Sequence, residues 1–462
     1  MRTDSAYTRF DTWVYLITLL LMLPVASAAG SGVDAADRGI NPQSLSLADA
    51  YFLARDSDPV LAIAKYRVDG TVAGRDVARG KFFPQVSLFG DWSQNKVRYE
   101  ESALSQLPSL DYPGERYGLQ LRAPLLNMRS FREYERQSAL VEQSEHELAV
   151  AEAELLVGVV EAYLLVLLAD ETAVQLESEL SALEGQLEEA NALYAKSLLP
   201  VTQVLETQTR ADRLKADVVN ARGQALIARE RLMQLVGLRD FTPSPIAEQI
   251  PLVTAVRDVD DAANLAVRFD PAAAAAEQAV NAAKKAISRE KGSWWPEVDF
   301  VYNSQYSDVG FDNLTSPPRS SETYSISVRY PLFEGGAGSA RLRGAWAEFY
   351  GAQQQLEATI RDAAGRARSA WVNLETATQR VLAARQAVTT AEVAVDAAEQ
   401  AVKAGAARVT DVLLALAQNT TAKRDLSEAR FQSAMAWLEL ELATGGEPLV
   451  LAPQISKALH NR

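Results

Sequence analysis

The sequence predicts an α-and-β chain made of two similar halves, each carrying one β-hairpin and one very long antiparallel helical hairpin. Three observations predict it: a repeat with a single long period, two windows of strand alternation, and two long runs of helical period without proline. The phrase VTQVL begins at Val201 and VTDVL at Val409, and a shift of 208 aligns Val201–Gly237 with Val409–Gly445 at 12 identities in 37 positions. Asp58-Pro59 returns as Asp270-Pro271, and Phe82-Phe83-Pro84 as Trp294-Trp295-Pro296, each 212 residues on. Pro124 and Pro331 are 207 apart, Tyr163 and Trp371 208 apart. Between the prolines that frame each hairpin the first copy is longer, 40 residues against 35, so length varies where a loop is expected.

The chain has 46 basic and 60 acidic side chains, a net charge of −14, and no clustered Lys/Arg face to neutralise phosphates, which argues against a nucleic-acid partner. The absence of cysteine suits an oxidising or exported setting. Arg2 and Arg9 precede an apolar run from Trp13 to Leu23, then Pro24 and the small-residue site Ala26-Ser27-Ala28, so residues 1–28 read as a cleaved signal peptide. That run is too short for a transmembrane helix; Asp4 and Asp11 are unusual in a signal and leave another role open. There is no cysteine near the cleavage site to accept a lipid, and the nearest other apolar stretch, Leu155–Leu168, is short and contains Glu161.

Beyond the signal, the first repeat is placed at 29–240, the second at 241–446, and a tail at 447–462. Each half opens with short helices, Leu47–Arg55 and Val60–Lys81, then Ala262–Phe269 and Ala272–Lys291, the longer ones started by a capping acid before a proline. The period then changes to 2. Strands are expected at about 84–96, 116–125, 296–306 and 323–333, with loops near 97–115 and 307–322. Val86, Leu88 and Trp92 share one face, as do Tyr117, Leu119 and Leu121; Val298, Phe300 and Tyr302 do the same, then Tyr324, Ile326, Val328 and Tyr330. Alternation alone fits a soluble sheet with one buried face. Phe82-Phe83 and Trp294-Trp295 at the start of each hairpin, with Trp92, Tyr117, Tyr302, Tyr324 and Tyr330 on the apolar faces, point instead to rings at a lipid interface. Four strands cannot close a membrane barrel, which needs about eight, so membrane strands here require several chains per barrel.

Helical period then runs over about 128–197 and 341–404, and seventy such residues would reach roughly 105 Å. Val381, Val388, Val395 and Val402, with Ala384, Ala391, Ala398 and Gly405, form a heptad seam; Leu180, Leu187 and Tyr194, with Leu176, Leu183 and Ala190, form its counterpart. Returning helices are expected at 201–236 and 409–444, ending at Gly237 and Gly445. The repeated phrase therefore sits at the turn furthest from the strands.

The order of parts, with YPLFEGGAGSARLRGA from Tyr330 and AGAARVTDVLLAL from Ala404, resembles the TolC-like outer membrane efflux protein family over essentially the whole mature chain. The resemblance implies a homotrimer sharing a twelve-stranded outer-membrane β-barrel continued by a periplasmic α-helical barrel. It implies a passive exit duct in a tripartite efflux or type I secretion system, with outer-membrane lipid, a periplasmic adaptor (membrane fusion protein) and an inner-membrane transporter of RND, ABC or MFS type as partners. It also places gate candidates at the distal turns: Asp411, Thr410 and Arg408 in the second copy, Gln203 and Thr202 in the first. Three copies of Asp411 around an axis would favour cations. The sequence departs from the family where Leu414 and Gln203 stand in place of further acids, and Arg408 lies near rather than at the basic position.

For Asp411 the plainer reading, a first-turn acid stabilising the returning helix, stands beside the gating one. A periplasmic coiled-coil scaffold or adaptor with soluble hairpins is the alternative to the duct. An enzyme is disfavoured: histidine occurs only at 146 and 460, so metal, zinc-protease and Ser-His-Asp arrangements lack their residues, and no cofactor is expected. Gly335–Ala340 has a phosphate-nest position but neither phosphate-loop pattern; it reads as a flexible strand-to-helix crossing.

Overall fold

A computed structural model describes residues 45–97, 110–238, 241–244, 254–308, 317–404 and 406–460, all within the unit Asn41–Arg462. The expected signal peptide, parts of both hairpin loops and Gly405 of the heptad seam lie outside the described residues. The first half contains α1 (Leu47–Ser57), α2 (Pro59–Gly80), β1 (Gln85–Val97), β2 (Leu110–Leu126), α3 (Met128–Ala195) and α4 (Val201–Val236). The second contains α5 (Val259–Phe269), α6 (Pro271–Gly292), β3 (Glu297–Ser307), β4 (Arg319–Arg329), α7 (Ala337–Lys403) and α8 (Val409–Ala443), followed by α9 (Pro448–His460).

Capping sets the helix starts. The Asp58 carboxylate accepts the Leu61 N–H at 2.7 Å, and the Asp270 carboxylate accepts those of Ala272 and Ala273 at 2.8 and 2.9 Å. Both acids precede a proline whose missing N–H is harmless in a first turn. α4 ends at Gly237 with φ 74°; in α8 the left-handed residue is Gly445, φ 94°, one place beyond the cap Thr444.

The four strands form one antiparallel sheet in the order β1-β2-β3-β4. Opposed residues share a face, so the register stacks one side with Val86, Leu121, Tyr302 and Tyr324 in one row, and Phe300 beside Ile326 in another. The other side is polar: Arg116 reaches Asp91 at 3.1 Å and Arg122 reaches Asp299 at 2.6 Å.

Three expectations need correction. β2 starts at Leu110 rather than near 116, because the Pro113-Gly114 pair sits inside the strand, beyond Arg116 where β3 pairing stops and an edge tolerates proline. β4 runs from Arg319 to Arg329, so Tyr330 lies just past it; Pro331 lacks a ladder donor, and α7 starts four residues earlier than expected, at Ala337 after Gly335 and Gly336 at positive φ. The tail carries helix α9, with Leu451, Ile455 and Leu459 buried on one stripe; Pro453 within it disguised the helical period.

Each of α3 and α7 is a single unbroken helix, of 68 and 67 residues. Near the sheet, helices neighbour one another in the order α2-α3-α6-α7; towards the far turns the order is α4-α3-α8-α7. Leu176, Leu183, Ala211, Leu214, Val218 and Leu413 form the distal core, so the first-copy heptads pack against both returning helices. Between the two levels a belt of short helices ties the halves. Leu45 and Pro243 form a parallel bridge, and the buried Tyr163 hydroxyl donates to the Leu45 carbonyl at 2.9 Å and accepts the Ser244 N–H at 3.0 Å. Its burial pushes the hydroxyl's pKa well above the tyrosine range, so it stays a neutral donor. Tyr163→Phe keeps the ring and deletes this clasp; we expect a loss of about 1–3 kcal/mol, read as a lower unfolding midpoint and faster exchange of the Ser244 amide.

Candidate functional site

The sheet presents an uncovered apolar face. Val86, Leu88, Trp92, Tyr324, Ile326 and Val328 are all exposed, and none of the described helices packs over them as a layer. Tyr117 stacks on Tyr306 at 5.0 Å between ring centroids, and Tyr302 meets Tyr324 at 4.8 Å, both across strand pairs on this face. Phe82 packs edge-on against Tyr134, while Phe83, Trp294, Trp295 and Tyr330 are exposed around the strand-to-helix crossings. A soluble sheet would cover such a face. β1 and β4 are the two edges of this open sheet.

Where α3 and α6 leave the sheet, a chain of charges binds them. Arg289 bridges Glu133 at 3.1 Å and the buried Glu290 at 2.6 Å, Lys285 reaches Glu135 at 3.3 Å, and Arg136 holds Glu133 at 3.0 Å. Burial alone would raise the Glu133 pKa; hydrogen bonds from Arg136, Gln137 and Arg289 outweigh it and hold the carboxyl at about 2. This collar was missed in the sequence because its partners lie about 150 residues apart.

At the far end the two repeated phrases start α4 and α8 differently. Ser197 takes φ 59° in the first turn, and Pro200 caps α4 without a side-chain hydrogen bond. In the second turn Asp411 Oδ2 accepts the Arg408 backbone N–H at 2.9 Å, half of a capping box, since an arginine side chain has no acceptor to return. The plainer reading of Asp411 is thus present in the chain, with Asp411 itself exposed at the tip. Gln203 is half-buried, Thr202 and Arg408 are exposed, and Thr410 is half-buried beside Asp411. The structure gathers Arg408, Thr410 and Asp411 at one tip, Thr202 and Gln203 at the other. No cluster of His, Asp or Glu able to hold a metal exists among the described residues, and none of their helices is long and apolar enough to cross a membrane.

The family model for outer membrane efflux proteins matches residues 50–238 and again 263–446, once per half. The chain belongs to the outer membrane efflux protein family. As a member of that family the protein resides in the outer membrane and extends into the periplasm. It is 25% identical to the proteases secretion protein PrtF of Dickeya chrysanthemi over 88% of this chain and 89% of that protein. It is 23% identical to the outer membrane protein TolC of Escherichia coli, over 87% of this chain and 83% of that one. The crystal structure of the outer membrane protein VceC from Vibrio cholerae superposes with a TM-score of 0.71 at 19% identity, covering 87% of this chain and 96% of that chain.

Two outcomes follow for this outer membrane efflux protein. Asp411→Ala removes the first-turn acceptor and should cost the α8 start about 0.3–1 kcal/mol, seen as faster amide exchange confined to its first turn. Because the folded-state pKa of Glu133 is depressed, its contribution is present above about pH 4.5 and lost as pH falls towards 2. An acid titration should loosen the α3–α6 collar over that window, and Glu133→Gln should remove that part of the pH dependence.

Proposed function

We propose that three copies of this chain close a twelve-stranded barrel in the outer membrane and continue it as a periplasmic helical barrel. The assembly acts as the passive exit duct of a tripartite efflux or type I secretion system. The observation that carries this reading is a four-stranded sheet, apolar and uncovered on one face and polar on the other, running directly into unbroken helices of 68 and 67 residues. Closure of both sheet edges in hydrocarbon needs further copies, since unpaired backbone there has no solvent partner. The polar face, with its Arg–Asp pairs, would then line a water-filled lumen and the aromatic face would meet lipid. On this reading Phe82, Phe83, Trp294, Trp295 and Tyr330 lie at the periplasmic edge of the bilayer.

The mouth of the duct is at the helical tips, where a ring of Asp411, flanked by Thr410 and Arg408 and alternating with Thr202 and Gln203, forms the constriction. A periplasmic adaptor and an inner-membrane transporter supply cargo and energy there. The name of the relative PrtF favours a secreted protein as cargo. The periplasmic scaffold reading leaves the uncovered apolar face without a role.

The test is single-channel conductance of the mature protein in a planar bilayer, wild type against Asp411→Ala at neutral pH. Discrete cation-selective openings whose selectivity falls in the variant support both duct and constriction. Openings with unchanged selectivity would remove Asp411 from the gate while keeping the duct, and a detergent-independent soluble protein without channels would end the duct reading.

A further inference from the structure

On the side of the wall away from the belt, α3 and α7 flank α8 and leave a cleft along it. The belt helices α1 and α9 pack on α3, and α5 packs on α7. Tyr163 of α3 meets His460 of α9, and Ala367 of α7 packs with Ala262 and Ala266 of α5. A step of two residues turns a side chain by roughly 200° around a helix, so Leu165 on α3 and Gly365 and Ser369 on α7 face the other way. All three line the cleft. Two hollows, of about 620 and 830 Å³, follow one another along it and share Asn373 of α7 and Glu439 of α8. They have the size of small-molecule sites.

The lining is of two kinds. Leu164, Leu165, Leu168, Phe431 and Met435 give the first hollow an apolar flank. The arginines around the two hollows are already engaged: Arg366 bridges Asp270 and Asp362, each at 2.9 Å, Arg361 holds Glu357 at 2.7 Å, and Arg380 donates to Gln432 at 2.7 Å. Glu439 is not engaged, for among the described residues it has no hydrogen bond and no ion pair. Burial pushes its carboxyl pKa up, and no neighbouring cation offsets that. An acid shared by two hollows, beside an apolar flank and without a partner, is half of an ion pair.

Gly365 widens the same cleft. It stands inside a helix of 67 residues, where glycine is less stable than alanine, and no heavy atom lies within 4 Å of the place its Cβ would take. Packing does not ask for glycine there; the missing side chain leaves room.

We propose that this cleft binds an organic cation with an apolar body, one per chain, its charge beside Glu439 and its body against Leu165, Phe431 and Met435. The same carboxylate turns away anions of similar shape. The inference rests on the duct reading in one respect, that the face opposite the belt lines the lumen, where a cation crossing the duct would dwell.

The probe is rhodamine 6G, a flat monocation, titrated by fluorescence anisotropy into the protein in lipid nanodiscs, with empty nanodiscs as the blank and the anion fluorescein as the charge control. Wild type should bind rhodamine 6G saturably and fluorescein not at all. Glu439→Gln, which keeps size and shape, should weaken rhodamine binding about tenfold, and Gly365→Met, which fills the cleft and keeps its charge, about fivefold. Both variants should keep the helical circular dichroism of wild type. Unchanged affinity in both, or no saturable binding by wild type, would overturn the proposal. A loss in Gly365→Met alone would overturn the pairing with Glu439, and a loss in Glu439→Gln alone would overturn the seat of the apolar body. Channels in a planar bilayer without dye binding would overturn this site and leave the duct standing; dye binding without channels would end the duct reading instead.

Discussion

A strand edge that faces hydrocarbon has no water to satisfy its amides, and that constraint governs the rest of this structure. One chain supplies four strands with the outer edges of β1 and β4 open, and an apolar face that no described helix covers. On the proposed duct reading the sheet is completed from outside the chain. Each crossing hands a strand to a helix, so whatever closes the sheet also sets the neighbours of α2 and α7. The repeated positions are unequally buried, Leu205 exposed where Leu413 is covered, as the proposed ring of several copies would require.

The helical wall answers a different demand. A hydrophobic stripe on a helix about 100 Å long has to be buried at every turn, and no globular core is large enough to do it. Here the stripe is shared: α3 meets short helices near the sheet and returning helices beyond the belt, exchanging α2 and α6 for α4 and α8. The belt at Leu45, Tyr163, Ser244 and α9 sits where that exchange occurs, closing ends of chain that would otherwise leave backbone groups unsatisfied.

Much of this was readable because the deciding signals are local. Asp58 and Asp270 announce helix starts through a cap and a proline; the proline-free heptads announce the long helices; alternation announces the hairpins. What was not readable depends on tertiary neighbours. Pro113 looks like a turn and is a strand residue only because β2 outruns β3 there. Leu205 and Leu413 are the same residue in the same repeated phrase, yet their surroundings differ completely, and no window of sequence carries that difference. At the tips, Asp411 was legible as an acid at a helix start, but its bond to the Arg408 amide is a geometric fact.

If the tips part as the proposed duct requires, the belt is their fulcrum. From Tyr163 to the end of α3 at Ala195 the helix has no proline and no break, an arm of roughly 48 Å at 1.5 Å per residue. A stiff arm of that length turns a small rotation at its pivot into a large displacement at its free end: about 10° would carry the tip some 8 Å. A partner gripping only those turns would work with leverage, and the long helices would serve as handles as much as walls.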